Sequence, residues 1–565
     1  MNPLKHRWAV LLVGMIALAV APYFLRLDAS SIWDSNEAFY AETPREMIES
    51  GDFLNPSFNY QPRFNKPPLS YWIVASFYKV LGVSVTAERA AITLGAIAML
   101  ATAYMLARVA FSVEAGLLAA LGLAASPRVL MFSRRIMIDV YLSTFMSLAL
   151  VFFVLAQTRP ERRRTYLALM YASIGLGVMT KGPVAALLPA LAISLYLLVT
   201  RQRGEFRRLM LATGILIVVL IVVPWYAAMY RLHGWSVIAD FVSKDNLSRY
   251  GVTAWGPSRR FLFYIPVLLG DLFPWSIFLL PVLWLSFARK KSQPAGAPEN
   301  SPQEERLSVL LQVWAAVIVV FFSLSKSKED LYILPAYPAA AALTAGLVSR
   351  FLARQLHRRV SITTRSMLIA GGCVLVLVGI LAISFFGRGS SPYVIAGAWP
   401  IGLIAIVGGV ATAVGGAVDR RRFAVVAFVG AISVSNWVFV LRTLPDFERY
   451  KPVAALCDSL DDFADYDSLI GYYNYASPSM AFYLRRRIFE YHQPDELRRA
   501  LAGQRQVLCI VSENDYLALR DSLPPQTYVL ASRPIFRVKL KSILDRVQPP
   551  QVLLISNKAW QSIGQ

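Results

Sequence analysis

Long apolar runs alternate with short polar bursts along the chain, from the N-terminus almost to Arg442. Each run holds roughly 16 to 25 residues, which is enough for a helix to cross the hydrocarbon core of a bilayer. The pattern predicts about thirteen spans, near 9–25, 87–107, 113–128, 140–157, 165–180, 183–200, 209–230, 262–287, 307–323, 331–349, 367–386, 397–417 and 423–441. We therefore expect a polytopic α-helical membrane protein.

The basic residues follow the same alternation. Although the chain carries a formal net charge of +22, its basic residues lie in bursts between apolar runs and not along one amphipathic face. This argues against a nucleic-acid-binding protein and fits the positive-inside rule. With the N-terminus, "TRPERRR", "RQRGEFRR", "RKK", "RQLHRR" and "DRRR" all fall on one side, which we predict to be cytoplasmic.

An odd number of spans places the C-terminal tail on the opposite, external side. We expect a transmembrane domain over 1–442, with a long first external loop at about 26–86, and an external domain over 443–565. In the tail, "SLIGYYN", "QVLCIVS", "TYVLAS" and "QVLLISN" read as strands, with helices at "PSMAFYLRRR" and "ENDYLALRDSL" between them. The tail is thus predicted to be a small α/β domain; it has no catalytic motif and suits a lid or docking module.

The first external loop opens with the acidic stretch "WDSNEAFYAETPREM". Asp34 is placed to cap one short helix. Thr43, Pro44 and Glu46 have the spacing of a capping box that starts a second helix, and Gly51 is placed to end it. We therefore expect two short helices along the membrane surface, which would account for part of the acidity.

Two ionisable residues stand at predicted membrane boundaries. Asp139 lies at the threshold of an apolar helix, where a carboxylate is costly and usually functional; a structural salt bridge to Arg134 or Arg135 is the alternative. Lys66, held before two prolines in "RFNKPPLSYW", suits a lipid phosphate, or it is a lysine that snorkels to the interface. Further external cations and one tyrosine are Lys181, Arg249, Arg259, Arg260, Lys326, Lys328 and Tyr332.

Several motifs resemble one known family. "EAFYAETPREMIESGDF…RFNKPPLSYW", "GVMTKGP", "FYIPVLLGDLFPW" and "FFSLSKSKEDLYILP" look like the bacterial lipid A aminoarabinose transferases, within the protein O-mannosyltransferase-like (GT-C type) membrane glycosyltransferases. The resemblance covers roughly residues 1–340. It implies transfer of a sugar from a polyprenyl-phosphate (undecaprenyl phosphate) donor to a lipid, glycan or protein acceptor at the periplasmic face of the inner membrane.

The resemblance also implies roles for individual residues. Catalysis falls to acidic positions in the first two external loops, here Asp139, Asp34, Glu37 and the aligned Asn36. Binding of the donor phosphate falls to Lys66, Lys181, Arg249 and Tyr332, with Lys326 and Lys328 nearby.

The chain departs from the family pattern at three places. The first-loop Asp-Glu pair is Asn36–Glu37, the Glu of "FEKP" is Asn65, and an external Glu-His is Asp245–Asn246. The last two changes, at Asn65 and Asn246, remove the expected metal ligands, so zinc is not predicted, and binding of another divalent metal stays open. Aminoarabinose and lipid A therefore remain open as donor sugar and acceptor.

Two other functions remain as alternatives. An anionic-lipid transporter or flippase would need polar residues near mid-membrane, whereas here they crowd the outer edge. A non-catalytic relative that binds lipid-linked sugars is suggested by Asn36. Whether Asp34 replaces the carboxylate missing at Asn36, or only caps a helix, is also open.

Overall fold

The chain is mostly helical, with a two-stranded antiparallel sheet, Ser57–Phe58 and Gln61–Pro62, in the first external loop and a larger sheet near the C-terminus. The computed structural model describes residues 3–243, 248–251, 259–288, 301–387, 393–460, 463–536 and 547–559. The α-helices up to the last span are Pro3–Phe24, Asn36–Ser50, Leu69–Leu81, Val85–Ala110, Val113–Ala125, Pro127–Ser133, Ile138–Thr158, Arg163–Lys181, Val184–Val199, Leu211–His233, Trp235–Val242, Ser248–Gly251, Tyr264–Asp271, Leu279–Ala288, Pro302–Leu324, Tyr337–Leu352, Arg358–Phe386, Ala398–Ala417 and Arg421–Val438.

The described residues hold nine helices long and apolar enough to cross a membrane, or up to eleven if two sharply bent pairs each form one span. The chain is thus a multi-pass membrane protein, as predicted. The predicted count of about thirteen is higher because two predicted spans fall on the helices Arg163–Lys181 and Val184–Val199, which are not among those nine to eleven.

Local sequence explains how several of these helices begin and pack. The hydroxyls of Ser84, Ser112 and Ser126 each accept a hydrogen bond from a backbone amide in the first turn of the helix that follows, as N-cap residues do. Small residues bring two other helices together: a Cβ atom at Gly372 would lie 2.6 Å from the carbonyl oxygen of Gly409. Close backbone approach of this kind is typical of membrane helix pairs.

The first external loop differs from the prediction. Its acidic stretch forms one continuous helix, Asn36–Ser50, with Pro44 inside it, where two helices were expected. Thr43 is fully buried and does not cap a second helix, because the chain is already helical there. The predicted end is correct, since Gly51 follows the helix in the left-handed conformation, at φ 72°.

The C-terminal domain contains a mixed five-stranded sheet. Its strands, in spatial order, are Phe489–Tyr491, Leu469–Tyr473, Val507–Ser512, Gln551–Ser556 and Tyr528–Pro534. The first three pair in parallel, and Gln551–Ser556 runs antiparallel to both of its neighbours. Its helices are Pro452–Leu460, Ser479–Leu484, Pro494–Leu501 and Glu513–Leu519. All four predicted strands are present, and the short edge strand Phe489–Tyr491 was missed.

Candidate active site

Asp139 and Lys181 form an ion pair between two neighbouring helices. Asp139 is the second residue of the helix Ile138–Thr158, and Lys181 is the last residue of Arg163–Lys181. The two helices pack against each other, and each charge stands at the helix end that its sign favours. The side chains keep 10% and 14% of their surface exposed, so the pair lies near the surface of the bundle and is not sealed in its core.

The partners predicted for Asp139 were wrong. Arg134 donates to the backbone carbonyls of Pro22, Leu25 and Arg26, so it fastens the end of the first helix. The guanidinium of Arg135 lies 4.6 Å from the ring centroid of Trp33. Lys181 takes the place beside Asp139 because its helix ends there.

The segment 325–332 covers the Lys181 side of this pair. The ammonium of Lys181 lies 4.5 Å from the ring centroid of Tyr332, a favourable cation–π distance. Lys328 is buried and donates to the carbonyl of Ser325, whereas Lys326 is exposed. Of the three residues predicted in this segment, Tyr332 is therefore the one that contacts Lys181.

The chain on both sides of Lys66 packs near the helix that ends at Lys181. Lys66 is buried, whereas the preceding Asn65 is exposed. The helix Leu69–Leu81, which begins three residues after Lys66, packs against Arg163–Lys181. Phe64 and Met179, each two residues before one of the lysines, belong to one apolar cluster. The packing thus brings the backbone of Lys66 to the side of the bundle where Lys181 ends its helix.

Glu37 forms a second ion pair, which is completely buried. Its carboxylate accepts hydrogen bonds from Arg89 Nε at 3.0 Å and from the Trp33 amide at 2.7 Å. Burial alone would raise the pKa of Glu37, but the charges of Arg89, Lys451 and Arg135 outweigh burial and hold this pKa below its usual range. Asn36, next to it, is exposed.

Asp34 does not cap the helix that follows it, because both of its carboxylate oxygens bind Ser479 of the C-terminal domain. Glu46 accepts from the Ser57 hydroxyl at 2.5 Å and from the Tyr60 amide at 3.1 Å. It therefore ties the helix to the following loop, and the predicted capping box does not form.

Three predicted residues lie wholly or partly outside the described part of the chain. Asp245 and Asn246 lie outside the described residues. The backbone of Arg249 lies in the short helix Ser248–Gly251, but its side chain is not among those described. Within the described part of the chain, no group of three or more His, Cys, Asp or Glu side chains could hold a metal ion.

The sequence interpretation missed Arg89 and a second polar cluster. Besides Glu37, Arg89 binds the carbonyls of Leu27, Ser30 and Ser31. The position of Arg89 inside a predicted span could have identified it, since ionisable residues within apolar runs are rare and usually form an ion pair or take part in function. The second cluster joins Asp271 to the Tyr337 hydroxyl at 2.7 Å and to Arg128 at 3.4 Å, and Arg128 also pairs with Asp330. Asp271 lies in the quoted motif "GDLFPW", yet it was not selected.

Three comparisons with known proteins agree with the motif resemblance. A family model described as dolichyl-phosphate-mannose-protein mannosyltransferase matches residues 65–227. An uncharacterized protein of Aquifex aeolicus is 32% identical over 328 residues, 58% of this chain and 62% of that protein. The undecaprenyl phosphate-alpha-4-amino-4-deoxy-L-arabinose arabinosyl transferase 1 of Pseudomonas fluorescens is 28% identical over 384 residues, 63% of this chain and 62% of that enzyme. The chain thus spans about three-fifths of the length of these curated relatives.

Solved structures show the fold over the whole chain. The crystal structure of ArnT from Cupriavidus metallidurans bound to undecaprenyl phosphate matches with a TM-score of 0.77 and 23% identity, and 99% of each chain is covered. The apo form of the same protein matches with a TM-score of 0.74. The predicted resemblance to this family of membrane glycosyltransferases is therefore confirmed, and the chain has the same fold.

Proposed function

We propose that this chain, a relative of the aminoarabinose transferases in sequence and in fold, is a membrane glycosyltransferase that moves a sugar from a polyprenyl-phosphate donor to an acceptor. Sequence similarity to enzymes named for an undecaprenyl phosphate-linked sugar supports the donor class. The fold shared with a transferase crystallised with undecaprenyl phosphate agrees with it.

One observation carries this proposal, namely the Asp139–Lys181 ion pair beside Tyr332 at the ends of two helices. A carboxylate next to a cation that also contacts an aromatic ring can serve both halves of a transfer reaction. The carboxylate can take a proton from the acceptor, and the cation can stabilise charge on the leaving phosphate.

The reaction that this geometry supports is an inverting displacement. An acceptor hydroxyl gives its proton to Asp139 while its oxygen forms a bond to the anomeric carbon of the sugar. The bond between that carbon and the phosphate oxygen breaks, and its electron pair stays on the polyprenyl phosphate. Lys66 and Lys181 stabilise the resulting charge, and we assign Arg249 and Tyr332 to the same phosphate site.

We further propose the orientation predicted from charge, in the bacterial inner membrane with the N-terminus cytoplasmic and the C-terminal domain periplasmic. The domain boundary near residue 443 belongs to this proposal. Contacts between the first external loop and the C-terminal domain, such as that of Asp34 with Ser479, support a common side for both.

The acceptor is an envelope lipid, glycan or protein, and lipid A is the first to test because of the named relatives. Asn65 and Asn246 stand where the aminoarabinose transferases have Glu and His. These changes are the reason to test several donor sugars and not aminoarabinose alone.

Purified full-length protein in proteoliposomes tests the proposal. It is supplied with a panel of polyprenyl-phosphate sugars and with lipid A or other envelope acceptors, and products are identified by mass spectrometry. We expect one donor and acceptor pair to give product, and Asp139→Asn to lower the rate at least about a hundredfold.

Lys558→Ala is the control, because this lysine is half-exposed and its ion-pair partner, Asp465, also belongs to the C-terminal domain. Full activity in both Asp139→Asn and Lys66→Ala would overturn the site assignment. Movement of the donor lipid across the bilayer without any transfer would favour the transporter.

A further inference from the structure

Asp34 connects two parts of the chain that are far apart in sequence. Its Oδ1 accepts from the Ser479 amide and its Oδ2 accepts from the Ser479 hydroxyl, both at 2.7 Å. Ser479 is the first residue of the helix Ser479–Leu484, and the residue before it is Pro478, which offers no side-chain hydrogen bond. Asp34 therefore gives this helix the acceptor that an N-cap side chain normally supplies, from 445 positions away.

Other contacts run across the same junction. The Ile32 amide donates to the Tyr483 hydroxyl at 2.6 Å. The side chain of Asn59 exchanges two hydrogen bonds with the backbone of Ile488, both at 2.7 Å. The C-terminal domain is thus attached to the first external loop on both sides of the helix Asn36–Ser50. In the described residues, Asp34 is the one carboxylate that joins this loop to the helix Ser479–Leu484.

On its other side, Asp34 is next to Trp33, which contacts the membrane domain. The Trp33 amide donates to Glu37, and its ring carries the guanidinium of Arg135 at 4.6 Å. Arg135 lies four residues before Asp139. A continuous set of contacts therefore leads from Ser479 through Asp34 and Trp33 to the start of the helix that holds Asp139.

We infer that Asp34 is a positioning residue that fastens the C-terminal domain to the first external loop through Ser479. The fastened loop holds Trp33 against Arg135, at the start of the Asp139 helix. Asp34 thus acts through contacts with protein and takes no proton from the acceptor. The activity part of this inference rests on the proposed function, whereas the docking part does not.

Hydrogen–deuterium exchange of the full-length protein tests the docking directly. In Asp34→Ala, exchange of the peptide that contains Ser479–Leu484 should accelerate between about ten and a hundredfold, as expected when hydrogen bonds to a charged group are lost. Ser479→Ala should accelerate the exchange of this peptide less, because the backbone amide at position 479 still donates a hydrogen bond to Asp34. Asp52→Ala, in the same loop but bonded only within it, should leave that peptide unchanged.

Activity variants separate positioning from chemistry. If Asp34 positions the domain, Asp34→Asn keeps most of the transfer rate because the amide oxygen still accepts from Ser479. The double variant Asp34→Ala with Ser479→Ala should then be no worse than Asp34→Ala alone. The inference is overturned if Asp34→Asn loses as much activity as Asp34→Ala while Ser479→Ala is fully active. Unchanged exchange in a folded Asp34→Ala protein, judged by its thermal unfolding, also overturns it, whether or not the wild type transfers sugar.

Discussion

Two of the carboxylate–cation pairs near the first two external loops, Asp139–Lys181 and Glu37–Arg89, differ in what surrounds them. Asp139 and Lys181 keep 10% and 14% of their side-chain surface exposed. Glu37 and Arg89 keep 0% and 1%. The Glu37 carboxylate also binds the Trp33 amide, and Arg89 also binds three loop carbonyls. The Glu37–Arg89 pair is buried and already hydrogen-bonded to the surrounding protein, so we expect it to stabilise the fold. The Asp139–Lys181 pair is partly exposed, so it can contact a substrate.

The largest effect is expected from removing Arg89. Arg89→Met leaves Glu37 buried without its charge partner and leaves three carbonyls unpaired, which should cost about 3–5 kcal/mol of stability. Thermal unfolding of the purified protein measures this loss. Lys181→Met is the matched variant at the surface-reaching pair, and it should lower the unfolding temperature far less. Equal losses in the two variants would contradict the distinction between the pairs.

Lys66→Ala should lower the transfer rate by about a hundredfold, because a positioned cation that stabilises developing phosphate charge is lost. Because Lys66 is itself buried, some loss of stability is also expected, and the rate is therefore compared per folded molecule. Steady-state kinetics with the polyprenyl-phosphate donor check this, and Lys558→Ala again serves as the control. A Lys66→Ala protein that is unstable but fully active per folded molecule would show that Lys66 stabilises the fold and does not bind the donor phosphate.

Two substitutions at Tyr332 separate the contributions of its ring and its hydroxyl to the transfer rate. Tyr332→Phe keeps the ring beside Lys181, whereas Tyr332→Leu removes it, which should cost roughly two- to thirtyfold in rate if the cation–π contact positions Lys181. Transfer kinetics of both variants decide the question. A loss in Tyr332→Phe as large as in Tyr332→Leu would assign the role to the hydroxyl.

The remaining prediction concerns pH. Burial raises the pKa of Asp34 from 3.8 to about 6, although the Ser479 hydrogen bonds and Lys451 act in the opposite direction. Between these values the folded protein holds a proton that the unfolded chain has released, so the Asp34 contribution to stability falls as pH rises through this window. The charged or titratable groups that interact with Asp34 are Lys451, Glu37, Tyr472 and Tyr475.

Asp34→Asn cannot titrate, and it is therefore the reference for this effect. The unfolding temperature of the wild type relative to Asp34→Asn should fall between pH of about 4 and about 6 and then level off. Lys451, whose pKa burial lowers to about 7, titrates above this window. A difference that rises over the same range would contradict the burial of Asp34.

The sequence predicted the membrane fold and most strands of the C-terminal domain, because apolar length and alternation are local properties. It also brought Asp139, Lys181 and Tyr332 into one list of site residues. It did not predict which cation pairs with Asp139, since Arg134 and Arg135 are near in sequence whereas Lys181 is near only in space. The capping-box spacing at Thr43 wrongly predicted the start of a second helix, because one buried helix continues past Pro44. The contact of Asp34 with Ser479 had no local signal, as it depends on how the C-terminal domain docks.

One assay separates the roles of the Asp139–Lys181 and Glu37–Arg89 pairs. Sugar transfer per folded molecule is measured for the wild type, Asp139→Asn and Glu37→Gln, each calibrated by its own thermal unfolding curve. We predict that Asp139→Asn is folded and nearly inactive, and that Glu37→Gln is destabilised yet active per folded molecule. A folded Glu37→Gln protein without activity, beside an active Asp139→Asn protein, would reverse the roles assigned to the two pairs.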